Sequence, residues 1–236
     1  MEVRFEGHGS DAIRGFLAMP GGEAAEPWPG VILAHAAGGP EPDERAFAGR
    51  LAAEGFAVLL VDLCSREGAR TPDASRAPCT AELPDRRALS DLDGGARWLG
   101  EREDVDARSI AVLGFGRGGT LAFLAGCTSS RFSCVVDYCG GPLYPELSEK
   151  RPTQPIELHL NLDRPLLAFF GERDQHVPAE HVRLLRERLD MAGKDFEIVT
   201  YEGAEHGFFD DGCERHDPRA AADAWRRTLA FLRENP

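Results

Sequence analysis

Short apolar runs alternate with longer segments of helical spacing along most of the chain. The runs Gly30–Ala34 and Phe56–Val61 are apolar throughout, which is typical of parallel strands buried on both faces. Between them, Asp43–Glu54 places Phe47 and Leu51 on one helical face. Strands and helices alternating at this spacing predict an α/β fold, in which a mostly parallel sheet carries helices on both faces.

The same pattern predicts the remaining elements. An antiparallel hairpin comes first, and the predicted strands are Glu2–Phe5, Ala12–Ala18, Gly30–Ala34, Phe56–Val61, Ser109–Leu113, Cys134–Tyr138, Leu166–Phe170 and Phe196–Thr200. The predicted helices are Asp43–Glu54, Leu83–Glu101, Arg117–Ala125, Ala179–Met191 and Pro218–Arg233. Two stretches without periodicity, Cys64–Ala81 and Gly141–Arg164, follow strands and are expected at the ligand-binding edge of the sheet. Since no linker interrupts the pattern, residues 1–236 are expected to form one domain.

Composition narrows the possible partners. The chain has 27 basic and 40 acidic side chains, a net charge of −13, which disfavours nucleic acid and anionic membrane surfaces. No apolar stretch is long enough for a membrane span or a secretory signal, so we expect a cytoplasmic protein. We expect a monomer or homodimer that acts on a small molecule without a cofactor. The cysteines lack zinc spacing and are predicted to be reduced thiols outside any metal site: Cys64, Cys79, Cys127, Cys134, Cys139 and Cys213.

The segment Gly114–Gly119 lies between a predicted strand and a predicted helix. This is the setting of a nucleophile elbow, in which flanking glycines permit a sharp turn that exposes the middle residue. A dinucleotide loop has the same glycine spacing, but it follows the first strand of its unit and needs an acidic residue about 20 positions on. Asp174 follows a later strand and His206 follows the next one, so elbow, acid and histidine come in the order of α/β-hydrolases.

These segments resemble the dienelactone hydrolase family of the α/β-hydrolase fold. The resemblance implies that fold without a large cap domain, and a Cys or Ser nucleophile that cleaves small lactones and esters with an Asp and a His. Carried over by motif, Asp174 is the acid, His206 is the base and Gly116 stands at the nucleophile position. Oxyanion amides are expected from Ala37 and Arg117. The resemblance extends over Pro29–His35, Arg50–Phe56, Val61–Leu63, Gly171–Pro178, Tyr201–Phe208 and Asp217–Trp225.

Two positions depart from the family pattern. Gly116 has no side chain to be acylated, and Ala36 stands where such hydrolases often carry a Glu. Three explanations compete: an introduced inactivating substitution, a nucleophile relocated to Cys64 or Cys139, and a natural loss of covalent chemistry. An elbow glycine is compatible with the last, because glycine tolerates the strained turn.

Our leading hypothesis is an enzyme that works without a covalent intermediate. His206, oriented by Asp174, acts as acid or base in cyclisation, elimination, isomerisation or hydrolysis of a small oxygenated, polyketide-like substrate of secondary metabolism. The rival hypothesis is a binding protein that keeps the pocket without catalysis. Arg117 either clamps an anionic group or pairs with a nearby acid. The predicted substrate-binding residues are His35, Ala36, Cys64, Cys139 and Phe208.

Overall fold

The computed structural model describes residues 1–22, 26–67, 80 and 83–236. The strands are β1 (Glu2–Glu6), β2 (Ala12–Ala18), β3 (Trp28–Ala34), β4 (Ala57–Val61), β5 (Val105–Phe115), β6 (Val135–Tyr138), β7 (Leu166–Gly171) and β8 (Phe196–Tyr201). The helices are α1 (Pro42–Ala53), α2 (Asp85–Gly100), α3 (Arg117–Thr128), α4 (Ala179–Met191) and α5 (Pro218–Glu234). Short 3-10 helices lie at His8–Ser10, Ser65–Glu67 and Pro155–Asn161.

The described strands form one sheet in the order β1-β2-β4-β3-β5-β6-β7-β8. β1 pairs with β2, and β2 with β4, in antiparallel fashion, whereas every later neighbouring pair is parallel. The structure therefore confirms the predicted α/β-hydrolase fold, with its N-terminal hairpin, and the described ranges contain no large cap domain. No helix in those ranges combines the length and apolarity needed to cross a membrane.

Alternating side chains divide the core between the two faces of the sheet. In β4, Ala57, Leu59 and Val61 pack into one apolar cluster, whereas Val58 and Leu60 pack into the other. Helices α2, α3 and α4 cover the first face, and α1 and α5 cover the second. Burial on both faces explains why the parallel strands are continuously apolar in sequence.

The predicted elements are present, and two differences affect the site. β5 extends from Val105 to Phe115, beyond the predicted Ser109–Leu113, because its polar first half pairs with the start of β3 across an irregularity at Pro29 and Gly30. Its other end leads directly into residue 116. The stretch Gly141–Arg164, predicted without periodicity, contains the 3-10 helix Pro155–Asn161.

The parallel topology brings four connections to one edge of the sheet. The loops after β3, β5, β7 and β8 carry Ala37, Gly116, Asp174 and His206 respectively. Most of the loop Cys64–Ala81, including Cys79, lies outside the described residues. The carboxyl edge of the sheet is therefore where the predicted site residues meet.

Candidate active site

Gly116 makes the turn between β5 and α3. Its φ of 50° and ψ of −114° belong to a region that residues with a side chain rarely adopt. The Gly116 N–H donates to the Tyr138 carbonyl at 2.7 Å, and its carbonyl accepts from the Thr120 N–H at 3.1 Å. A Cβ at this position would lie 3.4 Å from His206 Nε2, which is an ordinary van der Waals separation. The chain thus forms the strand, turn and helix of a nucleophile elbow around a residue without a side chain.

The flanking glycine Gly118 is required by close packing. A Cβ there would lie 2.2 Å from the Ala34 carbonyl oxygen, far inside van der Waals contact. The first turn of α3 therefore lies directly against the end of β3. This contact brings the elbow next to the loop that follows β3.

His206 and Asp174 form a hydrogen-bonded pair. Nδ1 of His206 lies 2.7 Å from Oδ2 of Asp174, which leaves Nε2 facing residue 116. The other carboxylate oxygen accepts from the His176 N–H at 2.7 Å and the Val177 N–H at 2.9 Å. Burial favours a raised pKa, but the hydrogen bonds from His206, Val177 and His176 outweigh it and lower the pKa of Asp174. An ionised Asp174 is therefore available to orient His206.

The loop after β3 leaves one backbone N–H without a hydrogen bond to the described residues. The Ala36 N–H donates to Glu44 Oε1 at 3.0 Å, and the Ala36 carbonyl lies 2.6 Å from His35 Nδ1. The Ala37 carbonyl accepts from the N–H and hydroxyl of Thr80 at 3.4 and 3.3 Å. Ala36 and Ala37 together have two backbone N–H groups and two carbonyl groups. Of these four groups, only the Ala37 N–H makes no hydrogen bond within the described ranges. A half-buried donor left in this way is suited to an oxyanion.

Arg117 supplies a second such amide and a side chain with another role. Its N–H is the first of α3 and donates to no residue in the part of the chain that the structure describes. Its guanidinium forms an ion pair with Asp85 and donates to the Tyr144 hydroxyl at 2.5 Å. Both charged side chains are about nine-tenths buried. Of the two predicted roles for the Arg117 side chain, the structure supports pairing with a nearby acid.

The chain matches the model of the dienelactone hydrolase family over residues 13–235. This protein belongs to the dienelactone hydrolase family. It is therefore an enzyme with a hydrolase fold.

Relatives and solved structures agree with this assignment. A Yersinia pestis protein named as a carboxymethylenebutenolidase is 29% identical over 233 residues, covering 95% of this chain and 85% of that protein. A Bradyrhizobium protein named as a 2-oxo-3-(5-oxofuran-2-ylidene)propanoate lactonase is 32% identical over 187 residues, 78% of this chain and 74% of its own. A crystal structure from Klebsiella pneumoniae, described as a dienelactone hydrolase, superposes with a TM-score of 0.91 at 29% identity and covers 99% and 97% of the two chains.

Two residues predicted to bind substrate in this dienelactone hydrolase family member are buried instead. His35 is fully buried, and its Nε2 accepts from the Leu63 N–H at 3.1 Å, so Nδ1 carries the proton that is donated to Ala36. Phe208 is fully buried and packs against Tyr201 with ring centroids 5.1 Å apart. Both predictions were wrong, because neither side chain is accessible to a ligand. His35 instead bonds to the backbone of the loops after β3 and β4, and Phe208 packs in the core. Ala36 is partly exposed, and its contact with substrate stays a prediction.

The cysteines also differ from the prediction. Cys64 is disulfide-bonded and 3% exposed, so it is neither the predicted reduced thiol nor a relocated nucleophile. Cys127, Cys134, Cys139 and Cys213 are free, as predicted, and Cys79 lies outside the described residues.

Cys139 lies beside the dyad but is not placed for nucleophilic attack. Its sulfur is within 4.8 Å of ligand atoms of Asp174 and His206, yet the residue is 1% exposed. Burial raises the pKa of the thiol well above its ordinary value, although the N–H groups of Gly207 and Gly171 partly offset it. Because a neutral, buried thiol is a poor nucleophile, Cys139 does not replace the missing side chain at the elbow.

Three clusters of possible metal ligands occur among the described residues. One includes the disulfide-bonded Cys64, one includes the hydrogen-bonded dyad, and one consists of three carboxylates. None has a further feature that indicates a bound ion, so the expectation of no metal site stays a prediction. The clusters are His35–Asp62–Cys64, Cys139–Asp174–His206 and Asp43–Asp210–Asp211.

Sequence reasoning missed two residues next to the dyad and the oxyanion loop. Glu44 is 7% exposed and accepts from the N–H groups of Ala36 and Glu41; burial raises its pKa to about 7, partly offset by those bonds. His176 is exposed, and its ring centroid lies 4.8 Å from that of His206. Glu44 could have been found from the sequence because it stands three residues after Glu41, the spacing of a capping box at the start of a helix. His176 could have been found because it stands two residues after Asp174.

Proposed function

We propose that this dienelactone hydrolase family member hydrolyses small lactones or esters by direct attack of water, without an acyl-enzyme. The observation that carries the proposal is the elbow itself. Its turn is retained, yet Gly116 offers no atom that an acyl group can esterify. His206 Nε2 lies 3.4 Å from the position that a Cβ would take, so a water molecule bound there would be within reach of this base.

Each retained group has a role in this reaction. His206 removes a proton from the water as its oxygen bonds to the carbonyl carbon, and Asp174 stabilises the imidazolium that results. The Ala37 and Arg117 N–H groups donate to the carbonyl oxygen as negative charge develops on it. Family membership and the name of the Bradyrhizobium relative support a lactone as the substrate class. Cyclisation, elimination or isomerisation would use the same base, and analysis of the products separates them from hydrolysis.

The proposal is tested by removing the dyad. His206→Ala is expected to lower kcat/KM for small lactones by about 10²- to 10⁴-fold, the usual contribution of a general base. Asp174→Asn is expected to lower kcat/KM by a factor in the same range, because the neutral Asn side chain cannot stabilise the imidazolium. The control is His8→Ala on the hairpin, which is remote in sequence from every site element. Unchanged lactone turnover in His206→Ala, with the wild-type protein active, would overturn the proposal.

A further inference from the structure

A second imidazole lies beside the dyad. The rings of His176 and His206 meet edge to face, with centroids 4.8 Å apart and planes inclined at 69°. Asp174 between them is buried, whereas His176 is exposed and His206 is partly exposed. Because the two rings are in contact and both reach solvent, a substrate held at His206 Nε2 would also lie near His176.

The backbone holds His176 in this place. Its N–H donates to Asp174 Oδ1 at 2.7 Å, and the next N–H, from Val177, donates to the same oxygen at 2.9 Å. The carboxylate that orients His206 thus also fixes the segment that carries His176. Asp174 therefore holds the ring of His206 and the backbone of His176 in place before substrate binds.

The two rings differ in what they already bind. His206 Nδ1 is engaged by Asp174, so only Nε2 is available for proton transfer. The His176 ring, by contrast, makes no hydrogen bond or ion pair with residues in the described ranges. Its nitrogen atoms are free to meet a polar atom of a substrate.

We propose that His176 is a second catalytic acid, which protonates the oxygen that leaves when the lactone or ester bond breaks. This inference rests on the proposed function. In a serine hydrolase, one histidine takes the proton of the nucleophile and then gives it to the leaving group. Here two imidazoles lie in contact, and Nε2 of His206 is the one nitrogen of that ring left for proton transfer. The two transfers are therefore divided: His206 accepts the proton of the water, and His176 donates to the leaving oxygen.

The proton balance closes over one turnover. The water oxygen bonds to the carbonyl carbon, the π electron pair moves to the carbonyl oxygen, and His206 Nε2 takes a water proton. The electron pair then re-forms the carbonyl, the bond to the leaving oxygen breaks, and that oxygen takes a proton from His176. The products are an acid and an alcohol, joined in one molecule for a lactone. His206 has gained one proton and His176 has lost one, and exchange through solvent restores both.

The test compares two lactones that differ in their leaving oxygen. δ-Valerolactone releases an alkoxide, which needs protonation, and dihydrocoumarin releases a stabilised phenoxide, which needs little. His176→Gln keeps the backbone hydrogen bond and a side-chain donor but removes the transferable proton. We expect kcat/KM for δ-valerolactone to fall by about 100-fold or more, and that for dihydrocoumarin by less than about threefold. The matched control His181→Gln, at the start of α4, is expected to leave both rates unchanged.

The outcomes separate this inference from the proposed function. Equal losses on the two lactones would show that His176 only shapes the site, and no loss on either would show that it is not used; each overturns the inference. If His206→Ala abolishes turnover of both lactones while His176→Gln changes neither, only the inference fails. If His206→Ala leaves turnover intact, or the wild-type protein hydrolyses neither lactone, the proposed function itself fails.

Discussion

Replacing Glu44 by Gln should remove a pH-dependent loss of stability. Glu44 is 7% exposed, and burial raises its pKa from 4.5 to about 7, against the effect of the hydrogen bonds from Ala36 and Glu41. Between these two values the folded protein holds a proton that the unfolded chain has released. Its contribution to the free energy of unfolding is therefore complete at low pH and is lost as the pH rises through the pKa of the folded state.

The size of the effect follows from the two pKa values. A rise from 4.5 to about 7 corresponds to about 3 kcal/mol in total, at about 1.4 kcal/mol per pKa unit. About 2 kcal/mol of this falls between pH 5.5 and pH 8, a range that avoids the isoelectric point near 5.0. The stability of Glu44→Gln relative to wild type should therefore rise by about 2 kcal/mol over this range. Asp137, whose pKa burial also raises to about 7, contributes equally to both proteins and cancels.

The measurement is urea unfolding of both proteins at pH 5.5 and pH 8. The change in their difference is the quantity of interest, because any loss of hydrogen bonding to Gln affects both pH values alike. Glu180→Gln is the control, since Glu180 also lies in the first turn of a helix but is exposed. A pH-independent difference between Glu44→Gln and wild type would show that burial does not raise the pKa of Glu44.

Three further predictions concern packing, charge and metals. Gly118→Ala places a Cβ 2.2 Å from the Ala34 carbonyl and should lower the free energy of unfolding by about 1 to 3 kcal/mol or more. Gly49→Ala, in α1 with no atom within 4 Å of the new Cβ, should raise it by about 0.5 to 1 kcal/mol. Urea unfolding measures both changes. Asp85→Asn leaves Arg117 buried without its counter-charge and should cost about 3 kcal/mol, and an unchanged midpoint would contradict the pairing. EDTA should alter neither the melting temperature nor lactone turnover, and a loss of either would reveal a metal site.

The sequence predicted the order and type of the strands and helices because their signals are local. Continuous apolar runs marked the parallel strands, and helical spacing marked the helices, so the α4 prediction, Ala179–Met191, matches the structure at both ends. The order of Gly116, Asp174 and His206 was enough to predict one site, since the carboxyl ends of parallel strands share one edge. The first half of β5 was missed because its polar residues, Asp106 to Arg108, obscure the strand pattern.

The remaining errors depend on contacts between distant residues. His35 and Phe208 follow strands, as pocket residues do, but only the fold shows that they point into the protein. Asp85 and Arg117 are 32 residues apart in the sequence, and no local pattern in either segment indicates that they form an ion pair. The disulfide at Cys64 was missed because scattered cysteines carry no pairing signal in a chain without other marks of an oxidising environment.

Covalent labelling at the elbow distinguishes direct attack by water from an acyl-enzyme mechanism. The wild-type protein and Gly116→Ser would be incubated with a fluorophosphonate ester, which reacts with activated serines, and analysed by intact-mass spectrometry and peptide mapping. The variant should tolerate the side chain at a cost of about 1 to 3 kcal/mol, because φ is 50° there but His206 Nε2 is 3.4 Å from the new Cβ. We predict one adduct on Gly116→Ser, lost when His206→Ala is added, and none on a wild-type protein that hydrolyses lactones. An inactivating adduct on the wild-type protein, at any residue, would contradict the account.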